Sequence, residues 1–181
     1  SKMKSLVLFF IFLISSSVLS DNVFSEKEVR ISFRYPEDWS ERKPQLHTTL
    51  VLLYADDGSG ATCNVTTKKF KKLHNLPEAQ LEKLRVVNHS KQYFYEQSKD
   101  AFINLVINHF WRGVIGQKNA GIVEMEFDIF VNDQKSKIIS FMGSTFANGR
   151  RITLLCNAQK NNIDSAKIAF DYIRSTMLFF Y

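Results

Sequence analysis

The chain has 181 residues, of which 24 are basic, 18 are acidic and 45% are apolar, and its formal net charge is +6. These fractions are typical of a globular protein, and they exclude both wholesale disorder and a membrane protein with several spans. The length allows one domain of ordinary size. Two cysteines are too few for a disulfide-dense mini-protein or for a cysteine-rich zinc or iron–sulfur site.

The first twenty residues have the pattern of a secretory signal peptide. Lys2 and Lys4 precede an unbroken apolar run at positions 6–14, and a serine-rich stretch then leads to Ser20. The apolar run is shorter than the roughly 20 residues that a membrane-spanning helix needs, so a signal is favoured over an anchor. We therefore predict cleavage after Ser20, a single mature domain at 21–181, and export to a periplasm or out of the cell.

The first half of the mature chain is predicted to form three strands and a helix. Residues 29–35 alternate between apolar and polar side chains, which is typical of a half-buried strand. Two β-rich runs, 46–54 and 61–67, flank turn-forming residues at 56–60 and predict a hairpin. Pro77 then opens a segment with helical composition.

The second half is predicted to form four more strands and a closing helix. The strands are expected at 101–112, 121–131, 137–146 and 151–158. The Asn148-Gly149 pair is typical of a tight turn before the last strand. Apolar residues at helical spacing between 166 and 177 predict the final helix.

The resulting order, βββ–α–ββββ–α, predicts an α+β fold in which helices pack on an antiparallel sheet. The register between two of its strands follows from the apolar pattern. Burying Val123 and its odd-numbered neighbours beside Ile139 and Phe141 predicts that odd residues face odd residues, across a loop with an odd number of residues.

No motif in the sequence indicates catalysis, a cofactor or a metal. The four histidines, His47, His74, His89 and His109, lack metal-ligand spacing. The sequence also has no nucleophile elbow, phosphate loop or dinucleotide fingerprint. We therefore expect no catalytic residues, no metal and no cofactor.

Three acidic residues, Glu124, Glu126 and Asp128, share one face of a predicted strand. They could form a calcium site or an acid/base pair. A solvated face neutralised by lysines is favoured, because calcium sites prefer loops that wrap the ion. A hydrolase that uses dispersed residues such as His109 and Asp128 stays an alternative.

One dense basic run stands out, in which Lys68, Lys69, Lys71 and Lys72 surround Phe70. Such a run could contact an anionic membrane surface or an acidic partner. It could equally protect a sheet edge, because lysines discourage sheets from pairing edge to edge. The sequence leaves both interpretations open.

Three aromatic residues and two cysteines also have open roles. Trp39, Phe110 and Trp111 lie near predicted strand ends, where they could line an apolar groove or pack in the core. Cys63 and Cys156 fall in predicted strands. In an oxidising compartment they could form a disulfide, or each could be a small buried side chain.

The segment Ile31-Ser32-Phe33-Arg34-Tyr35-Pro36-Glu37-Asp38-Trp39 resembles the first strand of PsbP-like domains, with their F-x-Y-P-x-x-W pattern. The strand at 151–158 and the helix that ends near 175–179 are also similar to that family. It includes photosystem PsbP subunits, DcrB-type bacterial envelope proteins and the Ran-binding Mog family. The resemblance covers nearly all of the mature chain and implies an α/β/α sandwich around a twisted antiparallel sheet. It implies no catalytic residues, because the members mostly bind, chaperone or assemble other molecules.

These features predict an exported, non-enzymatic module of the cell envelope that binds another protein or a peptide, such as a chaperone, an assembly factor or an immunity-type protein. The expected partner-binding residues are Trp39, Phe110, Trp111, Lys68, Lys69, Lys71 and Lys72. The mature chain has a net charge of +4, which is too diffuse to indicate nucleic acid, and any membrane contact is expected to be peripheral. A small-ligand or lipid carrier is the first alternative, and an exported hydrolase is the second.

Overall fold

The computed structural model describes residues 22–181, so the predicted signal peptide at 1–20 and the predicted cleavage after Ser20 lie outside the described residues. The strands are β1 (Asn22–Glu26), β2 (Ile31–Tyr35), β3 (Trp39–Arg42), β4 (Thr49–Ala55), β5 (Thr62–Lys69), β6 (Ile103–Ile115), β7 (Lys118–Val131), β8 (Gln134–Ala147), β9 (Arg150–Gln159) and β10 (Leu178–Phe179). The helices are α1 (Glu78–Asn88), α2 (Lys91–Ser98) and α3 (Ile163–Thr176), and short 3₁₀ turns occur at Lys71–Leu73 and Lys160–Asn162.

The described strands form two antiparallel sheets. Seven of them form one sheet in the order β3-β4-β5-β9-β8-β7-β6, and β1, β2 and β10 form a second, three-stranded sheet. Strands β6 to β9 follow one another along the chain and are also neighbours in the sheet, so they form a meander. The β5–β9 pair instead joins two strands that are distant in the sequence, and it connects the meander to the β3–β5 half of the sheet.

Tight turns connect the strands of the meander. Each has two residues, and all six have positive φ: Gly116, Gln117, Asn132, Asp133, Asn148 and Gly149. This conformation is that of the type I′ turn, whose twist matches the twist of the flanking strands. The Asn148-Gly149 turn predicted from the sequence is confirmed.

The register predicted between β7 and β8 is wrong. Val123 lies opposite Met142, an even-numbered residue, and the loop between the strands holds two residues rather than an odd number. The prediction failed because both faces of this part of the sheet are covered. Ile122 and Val123 are adjacent and point to opposite faces, yet neither is exposed to solvent, so the apolar pattern does not identify one inner face.

Helices cover both faces of the large sheet. Helix α3 packs on one face, where Ile122, Phe141 and Leu154 form a core with Phe170 of the helix and Phe33 of the small sheet. Helices α1 and α2 pack on the opposite face over β6, β7 and β8. The predicted α+β sandwich of helices around an antiparallel sheet is therefore confirmed. Among residues 22–181, no helix is long and apolar enough to cross a membrane.

The seven predicted strands and the two predicted helices are present, but four further elements were not predicted. Strands β1, β3 and β10 have five, four and two residues, and such short strands form through pairing with partners that no local pattern reveals. Helix α2 is largely polar. Its N-terminus is capped by the Ser90 hydroxyl, which accepts the Tyr93 N–H at 3.2 Å, and it buries Phe94 against the sheet.

Candidate functional site

A cleft of about 740 Å³ lies where the end of the β5–β9 pair meets α1. Its charged lining consists of Lys69, Lys71, Lys72 and Arg151, and the rest of its lining consists of Phe70, Leu73, Leu76, Leu84, Phe146 and Asn88. We call this feature the basic cleft. No carboxylate is among these ten residues, so the basic cleft combines apolar surface with unopposed positive charge.

The segment that follows β5 builds one side of the basic cleft. The Phe70 N–H donates to the Gly149 carbonyl at 2.9 Å, which ties this segment to the turn between β8 and β9. The 3₁₀ turn then buries Leu73, and the side chains of Lys71 and Lys72 remain exposed. Gly149 has a φ of +67°, and a Cβ there would collide with the His74 ring, so both the turn and the packing require glycine.

Helix α1 builds the other side, and Arg85 attaches it to the sheet. This side chain is 1% exposed, and its Nε donates to the Phe146 carbonyl at 2.9 Å. Its Nη1 donates to Glu78 at 2.5 Å and to Glu82 at 2.8 Å. The bond from Arg85 holds the pKa of Glu78 below its usual value. Arg85 is therefore a buried cation whose charge is matched by its own helix.

Arg151 is a second partly buried cation, and its surroundings are different. Its guanidinium carbon lies 4.6 Å from the ring centre of Tyr93 and 5.0 Å from those of Phe70 and Phe146. Such contacts are favourable because the face of an aromatic ring carries partial negative charge. Burial lowers the pKa of Arg151, and no carboxylate in residues 22–181 forms an ion pair with it.

His89 holds Arg151 in position. The Arg151 Nε–H donates to His89 Nε2 at 3.1 Å, and His89 Nδ1 donates to the Arg85 carbonyl at 2.9 Å. These two bonds require the neutral tautomer with its proton on Nδ1. Burial, together with the neighbouring Arg151 charge, lowers the pKa of His89 to about 4. His89 therefore orients the guanidinium without neutralising its charge.

A glycine allows His89 to sit at this depth. A Cβ at Gly121 of β7 would collide with the backbone oxygen of His89 and would lie 2.9 Å from the Phe94 ring. The missing side chain thus lets the junction of α1 and α2 approach the sheet. Substitution at Gly121 is expected to displace His89 and, with it, Arg151.

The register of β5 and β9 places like charges opposite each other. Lys68 faces Arg151, and Lys69 faces Arg150. Like charges directly opposite on antiparallel strands are destabilising. Within the described part of the chain, none of these four cations forms an ion pair with a carboxylate. The sheet therefore concentrates positive charge beside the basic cleft without compensating for it.

The structure assigns the predicted partner-binding aromatics to separate places. Trp39 is 4% exposed and belongs to the core, and its strand β3 is at one edge of the large sheet. Phe110 and Trp111 lie in β6 at the opposite edge and pack into the cores on opposite faces. These three residues therefore do not form a shared groove, because Trp39 and Trp111 lie at opposite edges of the sheet and Phe110 lies on its other face. The lysines of the predicted set do converge on the basic cleft or flank it.

Lysines pair with two of the three acidic residues on this strand face, as the favoured interpretation expected, but Asp128 is 3% exposed and therefore not solvated. Glu126 lies 3.2 Å from Lys137 and 3.4 Å from Lys160, and Asp128 lies 3.3 Å from Lys135. In residues 22–181, no cluster of histidine, cysteine or acidic residues could hold a metal ion. His109 pairs with Glu124 in the sheet register. Glu124 is four residues, or about 13 Å, from Asp128 along β7. The two residues suggested for a hydrolase are therefore not brought together.

Cys63 and Cys156 form a disulfide. They are directly opposite each other in the β5–β9 register, and neither is exposed. The disulfide therefore joins the same strand pair that carries the opposed lysines and arginines. The sequence left this pairing open, because the partnership of two distant strands cannot be read from either strand alone.

Sequence reasoning also missed His89, Phe146 and Arg151 as functional candidates. Each is unremarkable locally, since the histidine lies between two helices and the arginine follows a turn. The only available signal was the lysine run, which marks one side of the basic cleft. The remaining side depends on contacts between residues 62 positions apart, such as Arg151 and His89.

No family model and no curated protein matches this chain. The solution structure of cyanobacterial PsbP (CyanoP) from Synechocystis sp. PCC 6803 matches with a TM-score of 0.59 and 13% identity, over 92% of this chain and 96% of that one. A crystal structure from Bacteroides thetaiotaomicron matches with a TM-score of 0.54 and 12% identity over 88% of this chain, which spans about half of that protein's length (48%). At these identities the likeness concerns the fold alone. The chain therefore has the PsbP-like fold that the segment from Ile31 to Trp39 implied.

Proposed function

We propose that this protein is an exported, non-enzymatic binding module of the cell envelope whose basic cleft holds an acidic, partly apolar segment of another protein. The composition of the basic cleft carries this proposal. Four cations and five apolar side chains line it, and no carboxylate does. Such a surface attracts negative charge and also buries apolar groups of a partner.

The shape of the basic cleft favours a protein segment over an enclosed small ligand. The cleft is open to solvent, whereas a site for a small molecule buries most of the surface of its ligand. The alternative of a lipid or small-ligand carrier requires an enclosed cavity between sheet and helix, which the basic cleft does not provide. An open cleft can accept one stretch of a longer chain.

Two observations support export. Residues 1–20 have the charge and apolar pattern of a signal peptide. The disulfide between Cys63 and Cys156 is typical of a protein that matures in an oxidising compartment. A location in a periplasm or outside the cell is therefore part of the proposal.

The binding function is tested with a fluorescent peptide of alternating glutamate and leucine residues, whose anisotropy reports binding to the mature protein. We expect saturable binding that weakens as salt is added, because the attraction is partly electrostatic. The double substitution Lys71→Glu and Lys72→Glu is expected to weaken binding by about tenfold or more, equivalent to about 1.4 kcal/mol.

The matched control replaces two exposed lysines outside the basic cleft, Lys27→Glu and Lys43→Glu. This control changes the net charge by the same amount and is expected to alter affinity by less than about threefold. Equal losses in both double variants would show that the peptide follows net charge rather than the cleft. A matching peptide of lysine and leucine that binds as well would also contradict the proposal.

A further inference from the structure

Arg151 presents unused hydrogen-bond donors beside the basic cleft. Its Nε–H is taken by His89, but its two Nη atoms have no acceptor among residues 22–181. A partly buried guanidinium is normally matched by a carboxylate, as Arg85 is matched by Glu78 and Glu82. Arg151 is therefore held in place while most of its donors stay available.

The neutral state of His89 explains how Arg151 is held in one orientation while its positive charge stays uncompensated. An acidic side chain at the same place would orient Arg151 and also cancel its charge. The imidazole only orients it, because Nε2 accepts one N–H and carries no charge. The positive charge of the guanidinium thus remains available to a ligand.

Lys68 adds a second charge next to the first. It lies directly opposite Arg151 in the β5–β9 register. Its Nζ is 5.5 Å from the centre of the Phe70 ring, and the Arg151 guanidinium is 5.0 Å from the same centre. The repulsion between the two cations lowers stability in the free protein, and a bound anion would relieve it.

We propose that Arg151 and Lys68 form an oxyanion-binding site at the end of the basic cleft. The bound group is a carboxylate or a phosphate, because the planar fork of a guanidinium donates two parallel N–H bonds to either group. Lys68 supplies a second cation on an exposed side chain. The inference rests on the proposed function, since the oxyanion anchors the acidic segment that the basic cleft holds.

A purely structural role for Arg151 makes a different prediction. In that case the guanidinium would only tie together the rings of Phe70, Tyr93 and Phe146, and the protein would bind no anion there. Direct titration with simple anions separates the two roles, because it reports occupancy of the site rather than stability of the fold.

The test is an NMR titration of the isotope-labelled mature protein with sodium phosphate or sodium acetate, at an ionic strength kept constant with sodium chloride. We expect saturable shifts of the backbone amides at Lys68, Phe70 and Arg151 in at least one series. Saturation with acetate identifies a carboxylate ligand, and saturation with phosphate alone identifies a phosphate group. The absence of saturable shifts in both series overturns the site.

Arg151→Gln and Arg150→Gln form a matched pair, because both remove one charge from neighbouring positions of β9. The Arg150 guanidinium donates to Thr67 Oγ1 at 3.5 Å, so it belongs to different surroundings. We expect anion affinity to fall by about tenfold in Arg151→Gln and by less than about twofold in Arg150→Gln. Equal losses would place the anion elsewhere.

Lys68→Gln is the second variant, because the side chain is exposed and, of the three rings, it lies over that of Phe70 alone. It is expected to weaken anion binding by about threefold, and an unchanged affinity would show that Lys68 is not part of the site.

The proposed function and the oxyanion site can be refuted independently of each other. If the peptide binds in the basic cleft and neither anion saturates, the oxyanion site alone is refuted. If an anion saturates at Arg151 and the peptide does not bind, the proposed function is refuted.

Discussion

The large sheet carries clusters of charged side chains at two places. Opposite charges face each other in one cluster, and like charges face each other in the other. At the end of the β7–β8 hairpin, Lys137 faces Asp128 in the register and lies 3.2 Å from Glu126. At the end of the β5–β9 pair, Lys68 faces Arg151 with no carboxylate between them. Opposite charges pair in the first region and stabilise the fold, whereas like charges face each other in the second, and that pairing is unfavourable.

The two regions also differ in how their strands are held together. Strands β7 and β8 are joined by a two-residue turn, so their pairing is local. Strands β5 and β9 are distant in the chain, and the disulfide between Cys63 and Cys156 bridges a sequence separation of 93. The strand pair with repelling charges is thus the one that has a covalent link. This contrast supports the proposal that the cations of β5 and β9 serve to bind a ligand.

Removing the disulfide should cause the largest loss of stability of all the changes proposed here, and the size of the loss should depend on the repulsion between the cations of β5 and β9. We expect the double substitution Cys63→Ala and Cys156→Ala to lower the free energy of unfolding by about 4 kcal/mol, because closing a long loop restricts the unfolded chain. The loss should be larger in about 20 mM salt than in about 0.5 M salt, because the disulfide keeps Lys68 and Arg151 close even in the unfolded chain, so only the variant escapes the whole repulsion on unfolding, and salt screens that repulsion. Urea unfolding at both salt concentrations measures this. A loss that is the same at both concentrations would separate the disulfide from the charge repulsion.

The neutral His89 predicts a specific loss of stability in acid. Burial lowers the pKa of His89 to about 4, whereas the unfolded chain protonates at about 6.5. Between these values the unfolded chain binds a proton that the folded protein does not bind, so stability falls as the pH is lowered from about 6.5 to about 4. The full change corresponds to about 3 kcal/mol, and urea unfolding at several pH values measures it.

The control for this prediction is His89→Gln, whose amide oxygen can still accept the Arg151 N–H but does not titrate. Its stability should be nearly flat between about pH 6.5 and about pH 5, above the range in which carboxylates with a lowered pKa, such as Glu78 and Glu126, add their own acid loss. The charged and titratable groups that face His89 are Arg85, Arg112, Arg151 and Tyr93, and none changes its charge there. An equally steep acid loss in the variant would assign the pH dependence to other groups.

The contrast between locally paired strands and strands that are distant in the sequence also shows which parts of the fold could be predicted from the sequence. The alternation at 31–35 and the Asn148-Gly149 turn are local signals, so β2 and the β8–β9 hairpin were predictable. The β7–β8 register was not, because Ile122 and Val123 are both fully buried on opposite faces. Strand β10 has two residues and exists only because β2 lies beside it, which no local pattern reveals.

The candidate site was predictable only in part, for a related reason. Lys71 and Lys72 stand out as a run in the sequence, and they line the basic cleft. Arg151 and His89 do not stand out, because their roles depend on the β5–β9 pairing and on burial under the helices. Trp39 is of a residue type that is common in binding sites, yet its position at the start of β3 places it in the core. Chemical type alone therefore identified the charge of the site and not its geometry.

The smallest expected effect tests the comparison most directly, because it changes one lysine in each region. Lys68→Gln and Lys137→Gln remove the same charge, so the net charge of the two variants is identical. In about 20 mM salt, Lys68→Gln should raise the free energy of unfolding by a few tenths of a kcal/mol if the repulsion from Arg151 outweighs the contact of the lysine with the Phe70 ring at 5.5 Å. Lys137→Gln should lower it, because Glu126 loses the lysine that keeps its pKa low. In about 0.5 M salt, urea unfolding should give the two variants similar free energies of unfolding, since screening weakens both interactions.

A decrease in both variants at low salt would mean that Lys68 already has a stabilising role in the free protein. The contrast between the two regions would then no longer point to a ligand.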